Sequence, residues 1–165
     1  MSTLADFSGP GLVIPALRSL DAATVVAELT QTLEQSDRIT DAHEFCSAVL
    51  RRELLCSTAC SPGFALPHAR LDGIERLTFA VGRCVEPLMW FGATEPVRLV
   101  FLFAVPQDAA AACLNVVSGI ARLSQEAARV QQLLAAADSD ALFQLLREIQ
   151  LRPAGRVSRT IACAR

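Results

Sequence analysis

Val97-Arg98-Leu99-Val100-Phe101-Leu102-Phe103-Ala104-Val105 is a run of nine residues in which only Arg98 is polar. A membrane helix needs roughly 20 apolar residues, so the run is far too short to span a bilayer, and its unbroken hydrophobicity suits a strand covered on both faces. The rest of the chain must therefore supply further strands and two layers of helix. Upstream, Leu77-Thr78-Phe79-Ala80-Val81 alternates enough for a second strand, and Phe64-Ala65-Leu66 makes a short third. Gly11-Leu12-Val13-Ile14-Pro15 reads as a short first strand or an extended lead-in.

Helix signals surround these strands. Asp21 can cap a helix that brings Val25, Leu29 and Leu33 onto one face and ends before Ser36-Asp37. Asp41, with Glu44 three residues on as in a capping box, starts another that runs to about Leu55 with Phe45 and Val49 inward. After the central run, Asp108 is placed to cap a helix from Ala109 to about Leu123. Ser124 opens one through Leu134, and Ser139 a last one carrying Leu142, Leu146 and Ile149. Helices before and after strands predict an α/β fold: a single domain with a mixed central β-sheet of about five strands, flanked by helices on both sides. The domain takes in 10–151. Residues 1–9 read as a loose lead. Arg152-Pro153-Ala154-Gly155 stops the last helix, and 152–165 form a basic tail.

Composition narrows the function. A chain of 165 residues that is 52% hydrophobic can bury one substantial core. Net charge is −2, and the tail holds four arginines and no acid, so the body is at about −6. That argues against nucleic acid as a partner. Six cysteines, at 46, 56, 60, 84, 113 and 163, include no Cys-x-x-Cys pair. No basic start leads into an apolar run with a cleavage site, so the reading is a cytoplasmic protein with reduced thiols, not inserted in a membrane. Cys56, Cys60 and His68 match no zinc spacing, so neither metal nor cofactor is expected.

The chemistry concentrates in Leu66-Pro67-His68-Ala69-Arg70, which follows Arg51-Arg52-Glu53-Leu54-Leu55-Cys56-Ser57-Thr58. Pro67 biases Leu66 to extended backbone, so His68, one of two histidines, sits at a strand end where an imidazole can be presented. It can serve there as base, metal ligand or nucleophile. His43 reads as a solvated helix residue, and Trp90 with Phe91 as an apolar knot before the central strand. Cys113 reads as helix packing, or as the thiol of a Cys-His pair.

These segments resemble the enzyme IIA domain of the mannitol/fructose class of the bacterial phosphoenolpyruvate-dependent sugar phosphotransferase system, including its nitrogen-regulatory relatives. The resemblance covers roughly residues 10 to 150. It rests on Arg52, Glu53, Ser57, Thr58, Gly63, Ala65, Pro67, His68 and Arg70, and on Val97 to Pro106, which looks like the family's central strand ending in Val-Pro. Two departures stand out. The family's turn is Ser-Thr-Gly-x-Gly-x-Gly, whereas this chain has Ala59, Ser61 and Gly63. Many members also place a second histidine, followed by leucine, where this chain has Cys113-Leu114.

The resemblance implies that His68 takes a phosphoryl group from an HPr-like phosphocarrier protein and passes it to a IIB component, or holds it as a signal to a regulatory target protein. It further implies that Arg52, Ser57 and Thr58 stabilise the phosphate, that Cys113 neighbours the active histidine and that Arg70 meets the carrier. The alternative it leaves is a regulatory binding module with weak or no phosphotransfer.

Overall fold

In a computed structural model, which describes residues 1–152, the central run is a strand over the predicted span, with every position buried except Arg98. In chain order the elements are β1 (Val13–Leu17), α1 (Ala22–Gln35), α2 (Ala42–Leu55), β2 (Ala59–Cys60), β3 (Phe64–Ala65), β4 (His68–Arg70) and β5 (Thr78–Leu88). They continue with β6 (Val97–Val105), α3 (Ala110–Ser124), α4 (Ala127–Ala135) and α5 (Ser139–Glu148). The sheet has six strands in the order β1-β5-β6-β3-β2, with β4 also on β6. β5 and β6 are antiparallel, as are β2 and β3, while β1 on β5 and both β3 and β4 on β6 are parallel. The sheet is mixed, as predicted.

Alternation along β6 divides the core into two layers. Val100, Leu102 and Ala104 face Val25, Leu29, Phe45 and Val49 of α1 and α2. Leu99, Phe101, Phe103 and Val105 face Val116, Ile120, Leu142 and Leu146 of α3 and α5. Since successive strand residues point to opposite faces, a strand flanked by helices on both sides must be apolar throughout. On the α3 side, Phe79 lies 5.9 and 5.3 Å from the rings of Phe101 and Phe103, and Phe64 lies 5.5 Å from Phe101, all in tilted contacts.

β3 and β4 are two halves of one interrupted strand beside β6. Phe64 and Ala65 pair with Leu99 and Val100, and His68 to Arg70 pair with Phe103 to Val105. Leu66 and Pro67 form the break, because Pro67 has no N–H for the ladder. Gly63 makes the approach to β3 possible: its φ is +97°, and a Cβ there would lie 2.9 Å from the Pro96 carbonyl oxygen. It is the one glycine the turn keeps.

Several details differ from the sequence reading. The lead at 1–9 is not loose: Leu4 to Phe7 form a 3₁₀ turn, Leu4 is fully buried, and Thr3 bridges to Gln150. Gly11 and Leu12 belong to a 3₁₀ turn, and the first strand runs from Val13 instead. β5 extends seven residues beyond Val81, and Leu66 lies outside β3. Asp21 and Asp41 cap as predicted, taking the N–H groups of Thr24 and Glu44. Asp108 does not cap α3, whose N-cap is Ala109, and α4 begins at Ala127 rather than Ser124. The cap of α5 is Asp138, one residue ahead of Ser139, and the helix stops at Glu148, before Ile149 and well before Pro153. The tail from 153 onward, with Cys163, lies outside the described residues.

Candidate functional site

His68 opens β4 and is half-buried. Its Nδ1 lies 3.2 Å from the Leu66 carbonyl oxygen. A carbonyl only accepts, so in the neutral ring this contact assigns the proton to Nδ1 and leaves the lone pair on Nε2. The ring borders a surface hollow of about 240 Å³ whose walls include Leu66, Arg70, Phe103, Cys113, Leu114 and Val117. Pairing with β6 sets its depth, because Phe103 opposite His68 and Val105 opposite Arg70 are themselves in the hollow wall.

Cys113 does stand in the same hollow as His68. Burial pushes its thiol up from the ordinary value, while the positive charge of Arg70 pulls the other way. A thiol held protonated is a poor nucleophile, which disfavours the Cys-His pair. Leu114 is 67% exposed at the rim.

Arg52, Ser57 and Thr58 do not line that hollow. Arg52 sits in the last turn of α2 and donates from Nη1 to the Cys56 carbonyl at 2.8 Å, satisfying the end of its own helix. The Ser57 Oγ accepts from the Ala59 N–H at 3.2 Å and keeps its own proton available. Thr58 is committed differently: its hydroxyl donates to Glu53 Oε1 at 2.5 Å and accepts from the Leu66 N–H at 3.1 Å. Its proton is spent on Glu53, so it has none to give a phosphate.

Glu53 was part of the family pattern without a role. In the structure it is 1% exposed, and its carboxylate takes the Thr58 N–H at 3.0 Å and the Trp90 indole N–H at 2.9 Å as well as the Thr58 hydroxyl. A signal was available in the sequence: Phe45, Val49 and Glu53 recur at i, i+4 and i+8, which puts the acid on the buried face of α2. Trp90 is correspondingly more than an apolar knot. It is 3% exposed and packs edge-on to Phe91, but its N–H serves the carboxylate.

His43 is exposed on α2. Cys56 and Cys60 are exposed beside a second hollow, of about 450 Å³, that also touches Ser57 and Glu95. Among the described residues no cluster of three His, Cys, Asp or Glu side chains could hold a metal ion, and no helix is long and apolar enough to cross a membrane.

Comparison with known proteins bears on this geometry. Residues 9–149 match the family described as "Phosphoenolpyruvate-dependent sugar phosphotransferase system, EIIA 2". A nitrogen regulatory protein of Bradyrhizobium diazoefficiens is 28% identical over 144 residues, 87% of this chain and 94% of the relative. The 2-O-alpha-mannosyl-D-glycerate-specific EIIABC component of Escherichia coli is 39% identical over 84 residues, half of this chain but only 13% of that much longer protein. Among solved structures, the nitrogen regulatory protein IIA-Ntr of Neisseria meningitidis superposes with a TM-score of 0.79 at 23% identity, over 87% of this chain and 98% of that one. That likeness shows a shared fold.

Proposed function

The chain belongs to the EIIA 2 family of the phosphoenolpyruvate-dependent sugar phosphotransferase system, and from that membership we propose that it is a phosphocarrier working through His68. The observation that carries the reading is the Nδ1 contact with the Leu66 carbonyl, which leaves Nε2 free on a ring that borders a surface hollow. In the proposed step the Nε2 lone pair attacks the phosphorus of an HPr-like protein's phosphohistidine. A new P–N bond forms, the carrier's P–N bond breaks, and its electron pair returns to the departing imidazole. The ring of His68 gains positive character as it bonds, and the Leu66 carbonyl steadies the Nδ1–H meanwhile. Phosphoryl transfer of this kind asks a protein mainly for position and for charge opposite the equatorial oxygens.

Arg70 is the cation in the hollow wall and is our first candidate for that charge. Arg52, with one N–H on Cys56 and the rest of its fork unused there, is the second, and the Ser57 hydroxyl the remaining donor. Arg70 also meets the incoming carrier. The acceptor is a IIB component, in keeping with the joined A, B and C components in the name of the mannosylglycerate relative. A second reading, retention of the phosphate as a signal to a regulatory target, is favoured by two observations: the nitrogen regulatory relative matches almost end to end, and Cys113 stands in place of a second histidine.

The test is to incubate the protein with phosphoenolpyruvate, enzyme I and HPr. A single acid-labile, alkali-stable phosphate is expected, absent from His68→Ala and retained in Cys113→Ser. Its passage to a IIB component supports the carrier, and its retention the signal. No phosphate on the wild-type protein overturns both.

A further inference from the structure

We infer that Glu53 is a positioning residue for His68, acting through Thr58 and the Leu66 backbone. The inference rests on the reading of His68 as the phosphate acceptor. Its starting point is a cost: a carboxylate withdrawn from water is expensive unless its lone pairs are met. Glu53 is 1% exposed, and among the described residues no ion pair includes it. Three hydrogen bonds replace the water instead, and none comes from α2. Oε2 takes the Thr58 N–H and the Trp90 indole N–H, and Oε1 takes the Thr58 hydroxyl. The carboxylate thus joins the end of α2 to the turn after it and to the β5–β6 connection.

The direction of the Thr58 hydroxyl follows. A carboxylate accepts and a backbone N–H donates, so the Thr58 proton points at Glu53 and a lone pair points at Leu66. Leu66 sits in the gap between β3 and β4, where pairing with β6 lapses and both its polar groups need partners. Its N–H goes to Thr58 and its C=O receives His68 Nδ1. Trp90, Glu53, Thr58, Leu66 and His68 therefore form one chain of contacts. Its last link sets the tautomer, and so which nitrogen meets phosphorus. Glutamine at 53 breaks the pattern, since its amide nitrogen opposes either the Thr58 hydroxyl, which must then turn its proton away, or both N–H groups that meet at Oε2, which go unpaired.

The experiment reads the imidazole nitrogens of His68 by long-range ¹H–¹⁵N spectroscopy at a pH that keeps the ring neutral, alongside the rate of phosphorylation by HPr. Wild type is expected as the Nδ1–H tautomer. Glu53→Gln and Thr58→Val are expected to shift the ring toward Nε2–H and to slow transfer by about tenfold or more, the scale set by losing alignment of a reacting group. Thr58→Ser, which keeps the hydroxyl, is expected to restore both. Trp90→Phe removes one donor while keeping an aromatic ring and is expected to give an intermediate shift, which keeps the test open if a harsher variant does not fold. An Nε2–H wild-type ring, or folded Glu53→Gln and Thr58→Val proteins with unchanged tautomer and rate, overturns the inference. The tautomer can be read whether or not His68 accepts phosphate, so failure of the carrier reading registers separately.

Discussion

At the scale of single residues, the site depends on which polar groups are already engaged. His68 and Cys113 were legible because a motif carried them, and the structure brings both to one hollow. The commitments of Thr58 and Glu53 were not, because hydrogen bonds between loop side chains leave no period in a sequence, and one donor to Glu53, Trp90, lies 37 positions along the chain. The cysteines give a prediction at this scale. Cys56 is exposed, whereas burial pushes up the thiols of Cys113 and, to about 11, of Cys84. Alkylation at mildly alkaline pH followed by mass spectrometry is expected to label Cys56 well before Cys113 and Cys84 last, because the thiolate is the reacting form. Cys113 labelling as fast as Cys56 would mean an activated thiol and would reopen the Cys-His pair.

At the scale of elements, periodicity located β6, α1 and α2 closely, whereas β2 and β4, of two and three residues, are too short for any period to register. Cap positions after β6 slipped by one to three residues, since Asp, Ser and Gln crowd the helix starts there. The join between β1 and α1 depends on a contact of the same non-local kind. Glu28, two turns into α1, accepts the backbone N–H groups of Arg18 and Ser19 and the Ser19 hydroxyl, the last at 2.6 Å. Burial acts to raise its carboxyl, but these hydrogen bonds outweigh burial and bring it below 4.5. A carboxyl that is more acidic folded than unfolded adds stability above the unfolded value and loses it as pH falls through the folded one. Melting temperature is therefore expected to drop below about pH 4.5, and to drop less steeply in Glu28→Gln. Identical acid profiles for the two proteins would remove Glu28 from the account.

Arg83, on β5, plays a comparable part at the far end of α4. Its guanidinium donates to the carbonyls of Leu134 and Ala136 at 2.8 and 2.7 Å, and through Nε to Pro15 on β1 at 2.8 Å. One side chain thus closes a helix end and pins the edge strand. Arg83→Met, which keeps the stem and drops the donors, is expected to cost about 2 kcal/mol in denaturant unfolding, the scale for carbonyls left partly buried without partners. A loss within error of zero would mean that water replaces the guanidinium freely.

At the scale of the whole molecule, the two ends of the described chain close the α3 side of the core, a pairing across nearly the full sequence that no local signal could reveal. The Leu4 N–H reaches the Ile149 carbonyl at 3.0 Å and the Leu151 N–H reaches Ser2 at 2.8 Å. Leu4 and Leu151 are buried, and a methyl at Gly119 of α3 would lie 2.4 Å from a Leu151 methyl and 3.5 Å from one of Leu4. The clasp therefore seats α3 against the sheet by way of Gly119, Ile120 and Leu123, while the opposite end of the helix carries Cys113 and Leu114 to the rim of the His68 hollow. Because support and site lie at different ends of one helix, stability and transfer should separate. Leu4→Ala is expected to cost about 3 kcal/mol, the range for emptying a fully buried leucine site, and to lower the melting temperature by on the order of 10 °C. Phosphorylation per folded molecule, measured well below that temperature, is expected to match wild type. If it falls instead in step with stability, the clasp sets the position of α3 at the site as well as its anchorage.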